Sequence, residues 1–193
     1  MAGTFPASDL ASRLAGRFSG QRVDLRAVGS GNPGALNATK SLGVAWGGAV
    51  LAADIAKGWA GCKVGQRIAG GNGAYAAGFT TVAGHCFPLW SGFRGGKGVA
   101  TSAGACLANF PLYFPVDLGV SALALLASKR AEKATYAASA LFVLAAFTWN
   151  RMRWPNAGGP KPTLGLPLFA LATTALIYYR FLSAPTVRAE DTT

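Results

Sequence analysis

The residues with the most evident chemistry lie in one stretch, 84–101, GHCFPLWSGFRGGKGVAT. It holds the only histidine of the chain, His85, and in its middle two cations, Arg94 and Lys97, among four glycines at 92, 95, 96 and 98. Glycine inside a helix costs about 1 kcal/mol relative to alanine, so 92–98 reads as a loop and Val99 as the start of a helix. A glycine-rich loop feeding a helix N-terminus offers unpaired backbone N–H groups and the positive end of the helix dipole. With Arg94 and Lys97 beside it, such a loop is an anion site, and phosphate is the anion it suits best. His85, just before Pro88, has three roles open to it: general base, hydrogen-bond donor to phosphate, or strut at a helix end.

A second polar stretch, GSGNPGALNATK at 29–40, sets Ser30, Asn32, Asn37, Thr39 and Lys40 among Gly29, Gly31 and Gly34. Small donors and exposed backbone suit a hydroxylated anion, and an ordinary interhelical loop has the same composition. GSGNPG also fits the G-x-G-x-x-G spacing of a dinucleotide fingerprint. That reading fails, because a dinucleotide fold needs several alternating strands and the chain offers no convincing second strand. The glycine–lysine loop is not a nucleotide P-loop either: its spacing is one residue short, and Gly98 stands where Ser or Thr would meet magnesium.

The elements that must hold these loops are apolar. Of 193 residues, 51% are hydrophobic and only 13% charged, against roughly 25% charged in ordinary soluble domains. The net charge is +11, with the cations scattered between apolar runs. That fits a membrane protein with basic loops and argues against nucleic-acid binding, which would gather its cations on one face. Cys62, Cys86 and Cys106 have no metal-ligand spacing, and with a single histidine in the chain no zinc site or other metal is expected.

Apolar segments are predicted at 42–61, 73–90, 99–109, 112–128, 134–149 and 164–182, with a loop over 151–163. Residues 30–40 read as loop, and 5–18 as a short helix with Leu10 and Leu14 on one face. Pro111 and Pro115 divide some thirty apolar residues into a half-helix and a fuller one; a single kinked helix is the alternative. Residues 1–183 form one membrane domain on this reading, and 184–193 a polar, disordered tail. Asp54 and Lys57, spaced i, i+3 in an apolar segment, share a helix face and can pair. Either a functional site or a structural ion pair accounts for them.

Taken in order, GTFPAS at 3–8, GSGNPGALN with Lys40, DIAKG at 54–58 and the 84–101 stretch resemble the PlsY family of bacterial acyl-phosphate:glycerol-3-phosphate acyltransferases. The resemblance implies an all-α polytopic bundle of about six to seven membrane helices in the bacterial inner membrane, with a short half-helix and a first helix that looks truncated. It implies transfer of a fatty acyl group from acyl phosphate to glycerol 3-phosphate, giving lysophosphatidic acid, without cofactor. Ser30, Lys97 and His85 would then be the catalytic residues. Glycerol phosphate would be held by Gly29, Ser30, Gly31, Asn32, Asn37 and Lys40, and phosphate by Arg94, Gly95, Gly96, Lys97 and Gly98. Lys40 stands where the family has arginine, and 178–185, YYRFLSAP, lacks the family's His and Asn. These departures keep an alternative open: a related non-catalytic membrane subunit that binds lipid phosphate or scaffolds a partner membrane protein.

Overall fold

The computed structural model describes residues 2–183; the tail expected over 184–193 lies outside them. Among the described residues the fold is all-α: helices α1 (Ala7–Ser19), α2 (Ala35–Leu42), α3 (Val44–Cys86), α4 (Val99–Asn109), α5 (Phe114–Ser128), α6 (Ala131–Met152) and α7 (Gly165–Ser183), with 3₁₀ turns at Ala2–Thr4 and Leu89–Ser91. One of them, Gly165–Ser183, is long and apolar enough by itself to cross a membrane, and Phe114–Ser128 is a shorter apolar helix.

The spans expected at 42–61 and 73–90 are the two arms of α3. The chain reverses at Ala69 and Gly70, where Gly70 takes φ 62°, ψ −151°, a conformation open only to glycine. The arms then touch through small residues, Gly61 against Thr81 and Gly65 against Gly73. Close packing of this kind is how helices associate where lipid removes the hydrophobic drive between them. The stretch 35–42 is helical, which corrects the loop expected over 30–40. Asn37 and Lys40 therefore ride on a helix. In α1 the buried face is Ala7, Ser8, Ala11, Ser12 and Ala15, not the leucines; Leu10 is 44% exposed. Small side chains let α1 lie close on its neighbours, and that contact outweighs the larger area of the leucines.

The half-helix expected at 99–109 is α4. It ends at Phe110 (φ −142°, ψ 58°), and α5 starts three residues after Pro111 with Pro115 in its first turn. Proline at that position needs no amide partner and presets the helical φ. The two helices are separate, not one kinked rod. α4 lies mainly against α3, where Gly58 meets the Thr101 carbonyl and Gly104 meets that of Ile55. A core of Phe110, Tyr113, Phe142 and Phe169 joins α6 and α7 to this pair, with Phe110 and Tyr113 stacked at 5.1 Å.

Candidate active site

The C-terminal end of α3 and the glycine–lysine loop form one unit. After Pro88 the chain turns through Leu89–Ser91 and returns, so that Gly95 N–H donates to the Cys86 carbonyl (3.2 Å) and Gly96 N–H to the His85 carbonyl (3.3 Å). This corrects part of the expectation for an anion loop: the amides of Gly95 and Gly96 satisfy the last carbonyls of α3 instead of facing a ligand. Gly96 is required for a different reason. A Cβ there would overlap His85 Nε2, so the loop closes on the imidazole only because residue 96 has no side chain. Gly98, at φ 85°, turns the chain into α4.

Outside the loop, Arg180 of α7 donates from Nη2 to the Gly95 carbonyl (2.8 Å) and from Nε to that of Gly96 (3.2 Å). Its guanidinium lies 5.2 Å from the Phe87 ring centre. Sequence reasoning noted Arg180 only as the one charge in 178–185; its fork fits two adjacent carbonyls in a way lysine could not. Lys97 is half-buried on this side, its Nζ 4.1 Å from the centre of the Phe181 ring. Partial burial lowers the Lys97 pKa below the ordinary lysine range; the Glu132 carboxylate opposes the shift and Arg180 adds to it. An anion arriving beside Lys97 would favour its charged form.

Inside the loop, His85 closes a buried polar cluster. Lys57 Nζ lies 2.7 Å from His85 Nδ1, 2.7 Å from Asp54 Oδ1 and 3.3 Å from the Phe5 carbonyl. Asp54, Lys57 and His85 are 2%, 8% and 9% exposed. The first arm of α3 carries Asp54 and Lys57 one turn apart, the second arm carries His85, and the hairpin at Gly70 brings them together. These three face a small recess of about 20 Å³ whose walls also include Gly3 to Asp9, Arg26, Pro33, Gly95 and Gly96. Arg26 is held at this wall: it pairs with both carboxylate oxygens of Asp9, and its Nε donates to the Arg94 carbonyl (2.8 Å).

The two motifs thus meet at the cavity through Pro33 and Gly95–Gly96. Ser30, Asn32, Lys40, Arg94, Lys97 and Gly98 are not among its walls as described. Ser30, Lys40 and Arg94 are exposed. Gly29 and Gly31 take left-handed turns at φ 59° and 66°. Asn37 is occupied by the fold: its Nδ2 donates to the Leu25 (2.8 Å) and Val28 (3.0 Å) carbonyls, and its Oδ1 accepts from Ser30 N–H (3.2 Å). Ser8, Asp9 and Arg26 are cavity residues that the sequence reading missed. Their only signal was GTFPAS and one arginine in a polar segment, and neither shows which helix it will face.

The chain matches the family model described as glycerol-3-phosphate acyltransferase over residues 1–186. It is 36% identical over 131 residues to the glycerol-3-phosphate acyltransferase of Thermoanaerobacter pseudethanolicus, covering 67% of this chain and 66% of that protein. With that of Nitrobacter winogradskyi it shares 34% over 174 residues, 90% of this chain and 81% of the relative. The match to the first of these relatives spans about two thirds of its length. The fold is similar to the crystal structure of PlsY, an integral membrane glycerol 3-phosphate acyltransferase, in its glycerol 3-phosphate form: TM-score 0.78, 29% identity, 97% of this chain and 90% of that one. The lysophosphatidic acid form gives a TM-score of 0.69 at 28% identity. A loop closed on a buried histidine and clamped by a cation from the last helix therefore sits on a known scaffold, and the chain belongs to the glycerol-3-phosphate acyltransferase family.

Proposed function

We propose that this protein is a multi-pass enzyme of the bacterial inner membrane that moves a fatty acyl group from acyl phosphate to glycerol 3-phosphate, giving lysophosphatidic acid. Residues 1–183 act as one membrane domain. The observation that carries the proposal is the convergence of both polar motifs with His85 on one recess, beside a loop flanked by Lys97 and Arg180.

Acyl phosphate is a mixed anhydride with a good leaving group. Its attack by a hydroxyl needs orientation and charge neutralisation more than a covalent enzyme nucleophile. Lys97 and Arg180 supply positive charge beside the loop, Lys97 stabilising negative charge as the acyl–phosphate bond breaks. His85 faces the acceptor from inside the recess. Ser30, Asn32 and Lys40 form an outer rim that meets the phosphorylated acceptor, while Asn37 holds that rim in shape. Gly29 and Gly31 set its turns and Gly95, Gly96 and Gly98 the course of the loop; Arg94 adds charge at the surface. The acyl tail lies along the apolar helices.

A second reading, a non-catalytic subunit binding lipid phosphate, rests on the absence of His and Asn from 178–185. One assay separates the two. Purified protein given acyl phosphate and glycerol 3-phosphate should release lysophosphatidic acid, and Lys97→Ala should reduce turnover about a hundredfold or more. Wild-type protein that binds lipid phosphate without turnover would establish the second reading.

A further inference from the structure

The contacts of Lys57 decide more than an ion pair. An ammonium has three N–H donors and no acceptor. Lys57 has three partners within reach: Asp54 Oδ1 and His85 Nδ1, each at 2.7 Å, and the Phe5 carbonyl at 3.3 Å. The first is a buried carboxylate, which requires a counter-charge, and Lys57 is the cation beside it. With Lys57 charged, the imidazole nitrogen facing it must accept and so carries no proton. The competing arrangement has a proton on Nδ1, shared with Asp54 Oδ1 at 3.5 Å. With a neutral ring it requires a neutral Lys57 amine as acceptor and leaves the Asp54 charge buried without a counter-ion. With a doubly protonated ring it still requires that neutral amine, the stronger base yielding its proton to the weaker. In a neutral imidazole with a bare Nδ1, the proton sits on Nε2. Nε2 is the nitrogen that lies against Gly96, in the cavity wall.

We propose that Lys57 is a positioning residue that holds His85 as the neutral tautomer protonated at Nε2, so that His85 donates a hydrogen bond at the cavity wall and does not take up a proton there. For the acyl-transfer reading on which its consequence rests, this removes His85 as general base. His85 then steadies an oxygen of the bound phosphate or acyl group, and the acceptor hydroxyl gives its proton to the phosphate that departs as the acyl–oxygen bond to it breaks. Asp54 acts at one remove, by keeping Lys57 charged.

His85 is the only histidine of the chain, so its ring nitrogens can be read without ambiguity. In ¹⁵N-histidine-labelled full-length protein in micelles at neutral pH, Nδ1 should resonate as a bare ring nitrogen and Nε2 as an N–H. A proton on Nδ1, or on both nitrogens, overturns the proposal without any variant being needed. In Lys57→Met the ring should move to a mixture of tautomers; a folded variant that keeps only the Nε2–H form would show that Lys57 does not set it. In turnover, His85→Gln places an amide N–H near the Nε2 position and should stay within about tenfold of wild type. His85→Asn places it near Nδ1 and should lose about a hundredfold. Asn equalling or exceeding Gln overturns the proposal. Absence of turnover in the wild type would sink the acyl-transfer reading, while the ring spectrum would still decide the tautomer.

Discussion

The α3–α4 pair and the helix α5 are both apolar, yet they are built in opposite ways. In α3 and α4 the contacts run through glycine and alanine, backbones touch at Gly58 and Gly104, and two opposite charges and a histidine are buried between the arms. In α5 no residue is buried; Val116, Leu118, Leu123 and Leu126 are 47%, 50%, 69% and 74% exposed. The difference separates two uses of apolar sequence. Small residues bring backbones close and create an interior in which polar groups must find partners. Branched, bulky residues only partly covered by protein form a surface suited to hydrocarbon. The site belongs to the first region because there, unlike on α5, side chains are held by contacts from several directions.

Substitutions can break or sharpen this contrast. The largest effect is expected from Lys57→Met, which leaves Asp54 buried without its cation; loss of a buried partner costs about 3–5 kcal/mol. Unfolding in detergent should show it as a marked drop in midpoint, and an unchanged midpoint would mean the cluster is hydrated. Gly96→Ala comes next. Its Cβ overlaps the His85 ring, and overpacking of this kind costs roughly 1–3 kcal/mol, so His85 or the loop must shift and turnover should fall at least tenfold. Arg180→Lys keeps the charge but gives up the two-pronged grip on Gly95 and Gly96. About one hydrogen bond to a charged donor, roughly 1.5–3 kcal/mol, is at stake, so stability should fall by up to that amount and turnover about tenfold. The smallest effect is expected at α5: Leu126→Ala should change stability by less than about 0.5 kcal/mol. A cost of about 2 kcal/mol there would show that Leu126 is covered by another surface, and the contrast would fall.

How legible these features were follows from their range. The half-helix α4, its break at Pro111 and the start of α5 were readable because proline and glycine act on their own residue and its neighbours. The pairing of Asp54 with Lys57 was readable for the same reason, being one helical turn. The helix over 35–42 was missed because a Gly-Asn-Pro run precedes it and Asn37, Thr39 and Ser41 dilute its helix formers, and packing against α3 decides the outcome. Arg180 and Arg26 were missed as site residues because their partners, the Gly95, Gly96 and Arg94 carbonyls, are backbone atoms 68 to 85 residues away. A backbone acceptor has no residue type by which to recognise it.

The amino-acid order by itself determined an all-helical apolar chain, two polar stretches rich in glycine, and a resemblance to one family. Those properties come from local sterics and from the balance of apolar and charged residues, which act within a few positions. Only the tertiary structure decided that Lys57 faces His85 across the α3 hairpin, that the amides of Gly95 and Gly96 are taken up by helix-end carbonyls, and that Arg180 holds the loop from outside. Each is a contact between segments whose distance in space is set by how closely glycine-lined helices approach, and that distance is a property of the packed bundle.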